Sequence, residues 1–200
     1  MKTIVWDLDD VLNQHQAVWF LANHQRFNHG LEYADLTTNP PCKLLGLSLE
    51  EYYRSIDEFR LSPAAAAMKP QEEVLSWFQN WGPRFHHIVL TARPRDTAAP
   101  AAEWVFRHFG EWVSHFAVVP SPRGNDQGQL TKATFIATHF KEVDFFIDDH
   151  TANVAEVAQL GIRSFLFPQP WNKSPWSVAE ILTALASAVQ VKEENPAYVS

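Results

Sequence analysis

Thr3-Ile4-Val5-Trp6-Asp7-Leu8-Asp9-Asp10-Val11-Leu12 is the stretch that decides the fold of this chain. A short apolar run stops at two carboxylates one residue apart, which reads as the first strand of a parallel sheet. Ligands of such sheets bind in the crevice beyond the carboxyl ends of the strands. Far downstream a second apolar run, Val143-Asp144-Phe145-Phe146-Ile147, also stops at an acidic pair, Asp148-Asp149. Two strand ends that deliver acids to one crevice predict a site for a hard cation and a phosphoryl group.

Outward from the first strand, Gln16 to Phe27 carries Ala17, Phe20, Leu21, His24 and Phe27 at helical spacing. Ser48, with Glu51 three residues on, has the capping-box pattern and opens a helix through Phe59. Pro63 and the alanines Ala64 to Ala67 lead to Pro70, and Pro70 to Trp81 reads as a helix closed by Gly82-Pro83. His87 to Thr91 is a buried strand. Asp96 then caps a helix through Phe109, ended by Gly110. Phe116 to Val119 is the next strand, followed by a polar loop from Ser121 to Gly128. Thr131 to Phe140 reads as helix and Val143 to Ile147 as strand. Thr151 opens a helix closed by Gly161, Ile162 to Phe167 is the last strand, and Ser177 caps a terminal helix to about Val189.

Strands alternating with helices predict an α/β, Rossmann-like parallel sheet with helices on both faces. The stretch from Leu12 to Pro70 breaks the alternation and is too long for a connection. The expected organisation is therefore a core of residues 1–11 and 71–191, a small helical cap of 12–70 inserted after the first strand, and a loose tail, 192–200.

The 200 residues, 46% hydrophobic and 20% charged, suffice for one packed domain with a modest insertion. A net charge of −7 argues against a surface that coats a nucleic-acid polymer. The single cysteine, Cys42, cannot pair within the chain, which suits a reducing compartment. No apolar stretch is long enough to span a membrane, and Met1-Lys2 leads straight into a strand, so a cytoplasmic protein is expected.

The chemistry follows from residue types. Asp7 attacking phosphorus gives an aspartyl-phosphate, which splits one hard displacement into two easier ones. Asp9 is expected to protonate the leaving alcohol and then deprotonate the hydrolytic water, which requires it protonated while Asp7 is ionised. Asp148 and Asp149, with Asp7 and a backbone carbonyl at Asp9, form the expected Mg2+ site. Thr91, Ala92 and Arg93 follow the second strand as phosphate contacts, although Arg93 could equally pair with an acid elsewhere. Lys132 or Lys141 supplies the cation; Lys132 is preferred because Thr131-Lys132 opens a helix that reaches the strand ends.

These blocks resemble the haloacid dehalogenase-like superfamily of phosphatases in order and placement. Asp7-Leu8-Asp9-Asp10-Val11 is similar to its first motif, Leu90-Thr91 to its second and Phe146-Ile147-Asp148-Asp149 to its fourth. The 12–70 insertion falls where that family carries a mobile helical cap. An Asp at position 9 is typical of the phosphate-transferring members. Thr91-Ala92-Arg93-Pro94, Ile147-Asp148-Asp149-His150 and Phe167-Pro168-Gln169-Pro170-Trp171-Asn172 resemble the branch with 5'-nucleotidases acting on deoxyribonucleotides. The resemblance implies a Mg2+-dependent phosphomonoesterase for a small phosphorylated substrate. A nucleoside monophosphate comes first, and a sugar or other metabolite phosphate second. A mutase-type phosphotransferase and a binding module with little turnover are the competing classes.

Each feature also has a plainer reading. Acidic pairs often cap helices, and Thr91 alone is an ordinary strand-end residue. The nine histidines hold no H-E-x-x-H zinc pattern and read as solvated or packing residues. Trp19, Phe20, Phe27, Tyr52 and Tyr53 are expected to form the core of the cap before stacking on any base. Trp77, Trp81 and Trp104 read as core, and Arg123 as a solvated loop residue.

Overall fold

A computed structural model of the chain describes residues 1–27, 30–119 and 130–193. The expected Ser121–Gly128 loop, with Arg123, and residues 194–200 of the expected tail lie outside the described residues. Five strands, β1 (Lys2–Trp6), β2 (Phe85–Thr91), β3 (Val113–Val118), β4 (Phe145–Asp148) and β5 (Arg163–Leu166), form one sheet in the order β3-β2-β1-β4-β5. Every neighbouring pair is parallel. Sequence order runs outward from β1 in one direction and then from β4 in the other, so the reversal falls between β1 and β4. That is where α/β sheets open a ligand crevice.

Both faces of the sheet are covered. Because strand side chains alternate, Ile4 and Trp6 point to one face and Val5 to the other. The first face joins Val89, Phe145 and Ile147 to α4 (Glu72–Trp81), α5 (Ala98–Phe109) and α8 (Val178–Glu193), through Trp77, Phe78, Trp104, Phe109 and Leu185. The second packs Ile88, Leu90 and Phe146 on α6 (Lys132–His139) and α7 (Thr151–Ala158), through Ile136 and Val157. Strands buried on both faces are near-continuously apolar, the pattern of the runs that predicted them.

A third cluster is built from α1 (His15–Asn23), α2 (Leu49–Arg60) and α3 (Pro63–Ala66): Trp19, Phe20, Phe27, Leu36, Tyr52, Ile56, Phe59 and Met68. The connections into and out of this helical layer lie side by side. Asn13 bridges Pro70, and the Gln71 N–H donates to the Leu12 carbonyl at 2.8 Å. Ser48 and Glu51 cap α2 reciprocally, as their spacing predicts.

The structure differs from the sequence expectations at several ends. Asp96 caps no helix: Thr97 N and Oγ1 both donate to the Pro94 carbonyl, making a 3-10 turn, Arg95–Thr97, before α5 begins at Ala98. Pro63–Ala66 is a short helix instead of a connector, with Ser62 as its cap and Pro63 in its first turn. The terminal helix runs to Glu193, past the expected end, after a Ser177–Glu180 cap. No helix among the described residues is long and apolar enough to cross a membrane.

Candidate active site

The site begins where β1 and β4 end. The Asp7 N–H donates to the Ile147 carbonyl at 2.8 Å, so pairing between the two strands continues to the acids themselves. Lys132, the first residue of α6, reaches back over these ends because Thr131 caps the helix there and turns the chain. Its Nζ lies 2.6 Å from Asp7 Oδ1 and 2.7 Å from Asp148 Oδ2. Lysine and both acids are buried. Asp148 also accepts from the His150 N–H at 2.8 Å and from Asn153 Nδ2 at 3.1 Å to each oxygen. Asp149 Oδ2 accepts from the Trp171 indole N–H at 2.8 Å.

One carboxylate oxygen each from Asp7, Asp148 and Asp149 lies within 4.8 Å of the others. Burial drives the Asp7 carboxyl up to about 7, with Lys132 opposing the shift and Asp148 adding to it. Asp149 is raised well above the usual range by burial and by the charges of Asp148 and Asp7. Burial disfavours the Lys132 ammonium, but Asp148 and Asp7 outweigh it and raise its pKa. Three acids share one lysine, so the cluster is short of positive charge. An all-oxygen donor set with that deficit fits a hard divalent cation such as Mg2+.

The Asp9 side chain stands apart from the acid cluster. Arg93 grips it along one guanidinium edge, with Nε 2.8 Å from Oδ2 and a second bond from an amino group to Oδ1. Arg60, at the end of α2, adds a bond of 3.2 Å to Oδ2 and holds Asp57 at 2.8 Å. Burial opposes the Asp9 charge, but Arg93, His15 and Arg60 prevail and hold its carboxyl well below the usual range. These surroundings favour the anion on Asp9 and the proton on Asp7, whereas the sequence predicts a protonated Asp9 beside an ionised Asp7. The ligand expected from Asp9 is its backbone carbonyl, and its side chain does not join the group of Asp7, Asp148 and Asp149. The bidentate fork of Arg93, one of the two fates weighed for it, is the reason.

Asp10 follows in the left-handed region, at φ 62°, a conformation that aspartate tolerates better than most residues. Its carboxylate accepts the Gln16 N–H at 2.8 Å and so ties the start of α1 to the acid loop. Thr91 is buried at the end of β2, and Thr91, Ala92 and Arg93 line the same cavity as Asp7, Asp9 and Lys132. The cavity, of about 370 Å³, is closed on the other side by Gln16, Pro40, Tyr52, Tyr53, Ile56 and Arg60 of the helical layer. Lys141 is exposed beyond α6, which leaves Lys132 as the lysine at the strand ends. Tyr52 and Trp19 are buried in the layer's own cluster, as expected, while Tyr53 packs at its edge and faces the cavity. His87 is a packing residue: its ring accepts from the Trp6 indole and donates to the Gly82 carbonyl, and burial lowers its pKa to about 4.

Sequence reading missed Arg60, Gln16, Asn153 and Trp171. Asn153 had a signal, since a polar residue in the first turn of the helix after Asp148-Asp149 folds back on the strand end. Arg60 had none, lying 51 residues from the acid it meets.

No protein-family model matches the chain and no curated protein matches it. Solved structures do. A haloacid dehalogenase (HAD)-superfamily hydrolase, subfamily IA, from Geobacter sulfurreducens superposes with a TM-score of 0.57 at 15% identity, over 92% of this chain and 95% of its own. A candidate beta-phosphoglucomutase from Thermotoga maritima gives 0.55 at 17% identity, over 94% and 99%. The candidate HAD-hydrolase YfnB from Bacillus subtilis, solved with magnesium bound, gives 0.55 at 12% identity, over 94% and 98%. At these identities the likeness establishes the fold, which is haloacid dehalogenase-like.

Proposed function

We propose that this chain is a Mg2+-dependent phosphomonoester hydrolase that works through an aspartyl-phosphate on Asp7. The observation that carries the reading is a buried lysine, Lys132, joining the nucleophile candidate at the end of β1 to Asp148 at the end of β4, beside Asp149. The fold hosts several chemistries, and it is this site that singles out phosphoryl transfer.

In this reading an Asp7 oxygen forms a bond to phosphorus as the bond to the alcohol oxygen breaks, and water then cleaves the acyl phosphate. Asp7, Asp148, Asp149 and the Asp9 carbonyl would hold Mg2+, which would neutralise charge on the phosphoryl oxygens and favour the Asp7 anion. Lys132 orients Asp7 and contributes the remaining positive charge, and Thr91 with the Ala92 backbone offers donors to the phosphoryl group. Asp9 carries the proton between leaving alcohol and water. Arg93 and Arg60 favour its anion, so the proton it hands to the leaving alcohol oxygen is first taken from solvent as substrate oxygens draw the guanidinium donors away, and the attacking water then returns a proton to it. Residues 12–70 act as the cap that closes the cavity and chooses the leaving group.

A nucleoside monophosphate is the first substrate class, supported by the apolar and aromatic side chains of Pro40, Tyr53 and Ile56 in the cavity lining. A sugar or other small metabolite phosphate is the second, supported by His15, Gln16 and Asn39 in the same lining. Phosphate release from a panel of both classes, with and without Mg2+, tests the proposal against Asp7→Asn protein. Mg2+-dependent release that falls at least about a thousandfold in the variant is expected. Equal rates for the two proteins across the panel would overturn it.

A further inference from the structure

The segment after β5 makes contacts that the reaction above does not use. Trp171 commits one oxygen of Asp149 to its indole N–H at 2.8 Å. Asn172 Nδ2 donates to the Asp149 carbonyl and to the Phe167 carbonyl, each at 2.8 Å. Gln169 Nε2 donates at 2.6 Å to the carbonyl of Asp10, in the loop that carries Asp7 and Asp9. The other end of the Gln169 amide accepts from the Tyr33 hydroxyl at 2.9 Å. The Tyr33 ring stands edge-on to Trp171, with centroids 6.2 Å apart and planes at 89°. Tyr33 belongs to a 3-10 turn, Tyr33–Asp35, of the helical layer. Residues 169–172 therefore touch both acid-bearing loops and the layer above them.

The chemistry of these donors restricts what they do. An indole N–H has no acceptor capacity, so its bond to Asp149 has one sense only. A carboxylate in a cation site needs its orientation fixed from behind, and such supporting bonds are worth much of the affinity. The Tyr33 phenol keeps its proton, because burial and the charges of Asp10 and Asp149 push its pKa upward. It is thus a permanent donor to Gln169.

We propose that Trp171 is a positioning residue for the acid cluster: its N–H holds Asp149 Oδ2 and leaves the opposite oxygen to a divalent cation. Tyr33, through Gln169 and the Trp171 ring, couples the seating of the helical layer to that ligand. The inference rests on reading Asp7, Asp148 and Asp149 as a Mg2+ site.

Isothermal titration of Mg2+ into the metal-free full chain, without substrate, tests it. Trp171→Phe, which fills the space without the donor, is expected to weaken Mg2+ binding about 10–100-fold. Trp171→His retains a ring N–H and recovers part of the loss. Tyr33→Phe weakens binding by a few-fold, about what loss of one neutral hydrogen bond implies. Wild-type affinity in a folded Trp171→Phe protein overturns the positioning role, and wild-type affinity in Tyr33→Phe overturns the coupling. Should Trp171→Phe fail to fold, Trp171→Leu, which also lacks the donor, is titrated in its place, and wild-type affinity there overturns the positioning role. Because no turnover enters, a wild-type chain that binds Mg2+, loses affinity in Trp171→Phe and releases no phosphate supports this inference while refuting the hydrolase reading alone. A wild-type chain that binds no Mg2+ refutes the inference.

Discussion

Lys132→Met removes the charge from the centre of the site and keeps most of the side chain's apolar length. Lys132 is buried and touches Asp7 at 2.6 Å and Asp148 at 2.7 Å, so the substitution leaves two buried acids without their cation. Breaking a buried pair from one side costs about 3–5 kcal/mol. The cost depends on pH in a definite direction. Lys132 is the largest influence lowering the Asp7 carboxyl, which even so stands at about 7, so its removal raises that group further. A raised folded-state pKa contributes stability that is complete below the unfolded value of 3.8 and drains as pH rises through the folded value. The penalty of Lys132→Met therefore grows with pH, by about 1.4 kcal/mol for each unit that Asp7 is lifted beyond its wild-type value. Urea unfolding in a chelator, followed by far-ultraviolet circular dichroism at about pH 5.5 and about pH 8.5, measures it. With a slope of about 2 kcal/mol per molar urea, the midpoint at the higher pH should fall by about 1.5–2.5 M, and by less at the lower pH. A fall under about 0.5 M at both, or a larger fall at the lower pH, would show that the lysine does not hold the cluster together.

Arg60→Ala releases Asp9 from the helical layer, so the limb of the pH–rate profile that reports Asp9 is expected to move to higher pH, since Arg60 helps hold that carboxyl low. An unmoved limb would mean Arg93 alone sets Asp9. Mg2+ at about 100 times its dissociation constant should raise the melting temperature by about 5–10 °C. That gain should shrink in mild acid, where Asp7 and the raised Asp149 take up protons and give up the cation. Gly161 lies in the turn after α7 at φ 80°, so Gly161→Ala should cost about 1–2 kcal/mol by thermal melting and leave turnover unchanged.

Much of the fold was legible because apolar runs that stop at turn or acid residues have few alternatives. The alternation of strands with helices points to parallel strands, and the acids ending the β1 and β4 runs to carboxyl ends that share a rim. Lys132 could be chosen over Lys141 because a capped helix start points back to that rim. The contacts of Asp9 were not legible. Its protonation is set by Arg93, 84 residues away, and by Arg60, and local sequence carries no sign of which acid a distant guanidinium will take. The same holds for Trp171 and Tyr33, whose shared position exists only once the helical layer sits on the sheet. Asp96 looked like a cap by residue type, but Pro94 drew the backbone into a tighter turn first.

Acid quenching during turnover, followed by peptide mapping, tests the central claim most directly. The account predicts a phosphoryl group on Asp7, formed with substrate and Mg2+ and absent from Asp7→Asn protein. Sustained phosphate release by Asp7→Asn, with no phosphoryl group trapped on the wild-type chain, would contradict it.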